Sequence, residues 1–389
     1  MNVLATNPVM STFSHGGSRV NPSQSLGTRD GQVIGRASDI PSMLPVSVLV
    51  VGQIVRQVLQ ELLDEELGAD PTTVRGLTNH LPMALVAKEG LGADADELTR
   101  FAAAYSTRIT ALDEPSTRLD EHTWRSAIGN YGAAADLRSY FVRRVAEEGT
   151  DETLKKNLPA LIAGISGAAF HGVIRLAYAI EVSSPSRVAA GLAYLAEVGS
   201  PLRPLAPGAV GTQDPMTILA DLSKSPDLPT PPRLRIIDEE MRVVANSDLF
   251  DAAVASLEVT EDTDQKLARA ALHLYASTDD FTALHGVTGL EAINSIRPWI
   301  DDNELLSRFA FQALVAAYLS IGAPALWSRD QLDEFVGTNE RDPREVSSSA
   351  ALSTDEHVSK LVYTAGRSWE KTNDPLYLAV AARKAFPIS

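Results

Sequence analysis

Apolar residues recur at helical intervals through almost the whole chain from about Val46 onward, and that spacing commits it to helices packed on helices. Val55, Val58, Leu59, Leu62 and Leu63 fall at i, i+3, i+4, i+7 and i+8, with Asp64, Glu65 and Glu66 outside the stripe. Alternating apolar and polar runs long enough for a sheet are scarce. The expected fold class is therefore all-α. Pro201, Pro204, Pro207, Pro215, Pro226, Pro229, Pro231 and Pro232 interrupt the pattern, leaving room for a helix only between Asp214 and Lys224. That segment is expected to join two helical halves that pack on each other, with a weaker break at 337–349, inside one domain spanning residues 46–389. Residues 1–45 read as an irregular N-terminal extension, rich in Ser, Gly, Asn and Asp.

One pattern recurs four times: a His on a first helix, an acidic or Asn-containing loop, then an Ala-rich second helix. His80 precedes Leu81-Pro82-Met83, with a loop at 94–97 and a second helix bearing Tyr105. His171 precedes Gly172-Val173, with a loop at 183–186 and Tyr194. His285 is followed by a loop at 301–304 and Tyr318, and His357 by Asn373-Asp374-Pro375 and Tyr377. Ser, Asp and Asn in these loops can accept hydrogen bonds from the free N–H groups that open a helix. Pro185 and Pro375 sit where a first-turn proline is tolerated. Each unit reads as a helical hairpin with one His on its first arm. Four hairpins packed around a central site would bring four imidazoles inward.

Composition narrows the chemistry. The formal charge of −16 argues against nucleic acid, whose binding draws on Lys and Arg. The absence of Cys removes disulfides, thiolate ligands and a cysteine nucleophile together. No apolar run reaches the roughly 20 residues of a membrane helix, and residues 1–40 lack a signal pattern, so a cytoplasmic protein is expected. No Gly-rich nucleotide loop follows a strand. Of the seven His, His15 and His122 lie in polar surroundings; His273 joins the four motif His in apolar ones. A lone His on an apolar helix face is more often a hydrogen-bonded core residue than a ligand. Four in equivalent places favour a metal held between facing helices, because imidazole suits iron, zinc and copper. No HExxH or other local cluster is present, so distant segments must assemble the site. Lys360, three residues after His357, shares its helical face. Its head either reaches water, the ordinary case, or sits at the site as a neutral amine or a carbamate.

Residues 78–85 (TNHLPMAL), 169–179 (AFHGVIRLAYA), 280–289 (DFTALHGVTG) and 357–363 (HVSKLVY) resemble, in order, the motifs of the questin oxidase-like family. The resemblance implies oxygen-dependent chemistry on polycyclic aromatic polyketides of the anthraquinone type. Such rings are opened by Baeyer–Villiger oxidation or by oxidative carbon–carbon cleavage. It also implies non-haem Fe(II) held by His80, His171, His285, His357 and a carboxylated Lys360, with O2 as co-substrate. Fungal members carry a His-rich first motif, whereas only His80 is present here, and the chain looks like a compact bacterial-type member. Arg175, one turn past His171, is expected to face a phenolate or peroxide, or else to pair with a carboxylate such as Glu181 or one on a neighbouring helix. Tyr178 lies one turn further along. Thr288 would orient an imidazole or bond its own backbone, and His273 is expected outside the ligand set. A separate NADPH-dependent reductase would prepare a small aromatic substrate. Two other readings stand beside this one: a cofactor-independent oxygenase with a His base, and a non-catalytic helical scaffold presenting a protein-binding groove.

Overall fold

Many of the helices begin where the sequence supplies an acceptor for their free N–H groups. Asp94, Asp214, Asp280, Asp302, Asp342, Asp355 and Asp374 each accept a hydrogen bond from a backbone N–H in the first turn that follows. Ser328 and Gln331 form a reciprocal capping box. Ser184 departs from the expectation, because its side chain makes no capping bond; Pro185 at the first helical position needs none from its own nitrogen.

The computed structural model describes residues 46–208 and 210–387, so the expected extension over residues 1–45 lies outside the described residues. Seventeen α-helices are found there. They are α1 (Val46–Glu66), α2 (Leu81–Gly90), α3 (Ala95–Tyr105), α4 (Ala134–Glu148), α5 (Thr150–Asn157), α6 (His171–Glu181), α7 (Pro185–Val198), α8 (Pro215–Leu222) and α9 (Ile237–Ala245). Then follow α10 (Asp248–Ala255), α11 (Thr263–Thr278), α12 (Phe281–Ile296), α13 (Asn303–Ser320), α14 (Arg329–Thr338), α15 (Pro343–Leu352), α16 (Glu356–Thr372) and α17 (Pro375–Ala385). A short antiparallel pair, β1 (Ala69–Thr73) and β2 (Ile109–Ala111), is the only named sheet among the described residues. The fold is all-α. No described helix is long and apolar enough to cross a membrane.

The four hairpins stand where the pattern places them, as α2–α3, α6–α7, α12–α13 and α16–α17. Within the proline-rich segment only α8 forms, capped by Asp214. The halves on either side interlock: α6 packs on α12, and α2 and α12 both pack on α16. The second break is shorter than expected. Asp342 caps α15 and Pro343 opens it, so the serines at 347–349 are helical and only 339–342 interrupt. Lys88, fully buried in the last turn of α2, donates to the carbonyls of Ala351 (2.6 Å) and Ser353 (2.7 Å) at the end of α15. It thereby fixes the point from which α16 departs.

Close helix approach is built in at Gly191 of α7. A Cβ there would lie 2.8 Å from the Cα of Leu176 in α6, closer than packed backbones tolerate. Gly337, exposed in α14, has nothing within 4 Å of that position. The same Gly→Ala change should therefore have opposite signs. Gly337→Ala gains about 1 kcal/mol of helix propensity, whereas overpacking at Gly191→Ala costs about 1–3 kcal/mol and shifts α6 from α7. Thermal denaturation checks this; equal midpoint shifts for the two variants would contradict it.

Candidate metal centre

Each of the four motif histidines has its ring orientation set by one acceptor on Nδ1. His80, at the N-cap of α2, donates to the Thr78 carbonyl at 2.6 Å. His171, the first residue of α6, donates to Ala168 O at 2.6 Å, and His285 in α12 donates to Phe281 O at 2.7 Å. His357, in the first turn of α16, has the Asp355 carboxylate at 3.0 Å. Burial pushes that carboxyl up, but hydrogen bonds from the His357 ring and backbone outweigh it and hold it at about 2. A ring that donates from Nδ1 presents a lone pair on Nε2.

The four rings converge. Their candidate ligand nitrogens lie within 4.8 Å of one another. The Nε2 atoms of His80 and His171 are 2.8 Å apart, and His285 Nε2 is buried with no hydrogen-bond partner. Two imidazoles already donating from Nδ1 cannot hydrogen-bond to each other through Nε2. That contact sets lone pair against lone pair unless one ring is protonated or a cation lies between them. Protonation is opposed: burial, and then neighbouring Lys360 and the other rings, holds His80, His171 and His285 well below the usual imidazole range. His357 is lowered too, by burial and Lys360 against the pull of Asp355. Neutral imidazoles oriented by outer acceptors are the state in which His binds metal. Two nitrogens each roughly 2 Å from one ion and at right angles would sit about 3 Å apart. The donor set fits a borderline metal such as iron or zinc.

The strained backbone lies beside this cluster. Ala168, Ala169 and Phe170 have φ of 49°, 52° and 68°, three successive residues in the left-handed region that only glycine enters freely. The turn aims the Ala168 carbonyl back at His171 and drives Phe170 into the core. There the Phe170 ring occupies the space a Cβ on Gly289 would need, 2.5 Å away.

Lys360 is 1% exposed and forms no ion pair among the described residues. Burial pushes its amine down to about 7, against the pull of Glu356 and Asp355. It does not reach out to water. Neither Arg175 nor Tyr178 lines the cleft onto which the imidazoles open. Arg175 instead donates to Glu66 Oε1 (2.6 Å) and to the Asn79 carbonyl (3.1 Å), while Asn79 Nδ2 also donates to Glu66 Oε1 (3.0 Å). The carboxylate partner is Glu66 of α1; Glu181 pairs with Arg367 and Tyr363. Arg175 therefore holds the peptide just before His80. Tyr178 is buried against Tyr363. Thr288 bonds its own helix through the Leu284 and His285 carbonyls. His273 pairs with Trp327 O away from the cluster, and His122 is exposed. His15 lies outside the described residues.

The cleft measures about 1250 Å³ and is lined by all four histidines, by β1 and by residues around the start of α9. It also takes in residues that motif reading did not single out as site residues. Glu197 of α7 is buried, accepts the Gly132 N–H (2.9 Å), and is pushed up to about 7 by burial. Tyr194, one turn earlier, bonds Thr78 Oγ1 at 2.7 Å, which braces the residue whose carbonyl orients His80. The acidic residue lies in an Ala-rich helix that looks like pure core, and only its distance from the loop at 132 gives it a site.

Replacing Arg175 with Met removes the ion-pair partner of the buried Glu66 and leaves it only the Asn79 amide, at a cost of about 3–5 kcal/mol. Arg175→Met should lower the melting midpoint and weaken metal retention together. A variant that folds with wild-type stability and full metal but loses turnover would return Arg175 to a catalytic role.

A search of curated proteins finds no match to the chain. A comparison with family models matches residues 77–365, about three quarters of the chain, and that span contains all four histidines and Lys360. The chain belongs to the Questin oxidase-like family.

Proposed function

We propose that the protein is an oxygenase in which His80, His171, His285 and His357 hold non-haem Fe(II), acting with O2 on a polycyclic aromatic polyketide of the anthraquinone or hydroquinone type. The reaction is oxidative carbon–carbon cleavage or Baeyer–Villiger-type ring opening. Family membership supports an oxidoreductase of such substrates. One observation carries the metal: four Nδ1 donors are engaged, so four neutral Nε2 atoms face one interior point. Iron(II) bound there would supply a spin-allowed route between triplet dioxygen and a closed-shell phenol or hydroquinone. The chain's own work is orientation and exclusion of water. Outer acceptors fix each ring, the strained turn at 168–170 fixes the start of α6, and the cleft exceeds the roughly 300–1,000 Å³ common for small-molecule sites.

Lys360 supplies what four neutral rings lack. Its amine, brought near neutrality by burial, can add to CO2 with loss of one proton to give a carbamate, an anion beside the imidazoles. A protonated Lys360 next to a divalent cation would be repelled, by about 4 kcal/mol for two like unit charges 4 Å apart at an effective dielectric of 20. The substrate would arrive reduced, from a separate NADPH-dependent reductase. A helical scaffold without chemistry explains the site poorly, since burying four neutral imidazoles together costs free energy that a groove-presenting protein has no reason to spend.

Purified protein should carry close to one iron per chain and consume oxygen with a hydroxyanthraquinone or its hydroquinone. His285→Ala should lose both iron and oxygen consumption. Lys360→Glu should retain more iron than Lys360→Met, and protein equilibrated with carbon-13-labelled CO2 should show a carbamate resonance that Lys360→Met lacks. Full turnover in metal-free protein would instead make one of these imidazoles a base in a cofactor-independent oxygenase.

A further inference from the structure

Phe281 is the first residue of α12, a helix whose residues 282–290 are all buried, yet it is itself 48% exposed. Its ring lies 4.7 Å, centroid to centroid, from both His285 and His357, roughly perpendicular to each at 82° and 67°. It also lines the large cleft. One side of the ring is thus set by two candidate ligands while the remainder is left to the cleft. Leaving half a phenylalanine uncovered forfeits hydrophobic stabilisation. Orienting His285 does not require the side chain, because the Phe281 backbone carbonyl does that and would survive any substitution. Aromatic rings pair best offset-stacked or edge-to-face, and the imidazoles already take perpendicular positions. The uncovered surface is suited to a flat ring system entering from the cleft.

We propose that Phe281 is a specificity-determining residue: a platform against which the planar substrate lies, bringing one edge of its ring system toward the four imidazoles. This rests on the aromatic-substrate reading above. It selects planar substrates over saturated ones of similar bulk. It also gives the substrate one fixed plane in a cleft otherwise large enough to let a tricyclic ring tumble.

The test uses iron-loaded full-length protein titrated with the dihydroxyanthraquinone quinizarin, following its visible absorbance, with iron content measured for every variant. Phe281→Leu keeps bulk and loses the ring; Phe281→Trp keeps a ring. Leu should bind quinizarin about five- to tenfold more weakly and lose the hypochromic red shift of a stacked chromophore, while Trp retains both and all three proteins hold equal iron. Wild-type affinity and spectral shift in Phe281→Leu would overturn the inference alone. So would a loss of iron in Phe281→Leu that accounts for the weaker binding, because the ring would then serve the imidazoles rather than the substrate. Wild-type protein that fails to bind quinizarin would remove the aromatic-substrate reading and this inference with it.

Discussion

Four hydrogen bonds from imidazole Nδ1 atoms determine what this protein can be. Three run to backbone carbonyls, at Thr78, Ala168 and Phe281, and one to the Asp355 carboxylate. Each commits a ring to one tautomer and turns its Nε2 inward. Without a cation the result is electrostatically poor, as the 2.8 Å approach of two Nε2 atoms makes plain. Burial at the same time resists the protonation that would relieve it. The fold gathers its imidazoles in an arrangement that calls for positive charge at its centre.

The rest of the fold can be understood as support for those acceptors. The Arg175–Glu66–Asn79 network anchors the approach to His80 from α6 and α1. The left-handed run at 168–170 exists because the Ala168 carbonyl must turn back onto the ring three residues later, and Gly289 leaves room for the Phe170 it displaces. Asp355 serves twice, capping α16 through the His357 N–H and holding the His357 ring. Lys88 ties α2 to the end of α15, so the helices carrying His80 and His357 keep their spacing.

Much of this is legible in the sequence because it is periodic. Each of the four histidines opens its hairpin or stands within its first turns, so recurrence alone identifies them and predicts that they meet. A helical step of three puts Lys360 on the face of His357, but only the family resemblance points it to the site rather than to water. What is not legible depends on partners far apart in the chain. A carboxylate partner for Arg175 can be expected from the sequence, but nothing near it announces that the partner is Glu66, which lies 109 residues earlier. Phe281 looks like ordinary core within an apolar helix until the cleft exposes it. The pair β1–β2 joins segments too short for alternation to reveal. Residues 337–349 look like one loop by composition, yet Asp342 and Pro343 start a helix inside it.

Iron-edge X-ray absorption on the protein as purified tests most directly whether the four imidazoles share one ion. The geometry predicts a light-atom shell at roughly 2 Å with outer-shell scattering of four imidazole rings, reduced to three in His285→Ala if any iron remains. An iron surrounded by oxygen, or by fewer than three imidazoles in the wild type, would contradict it.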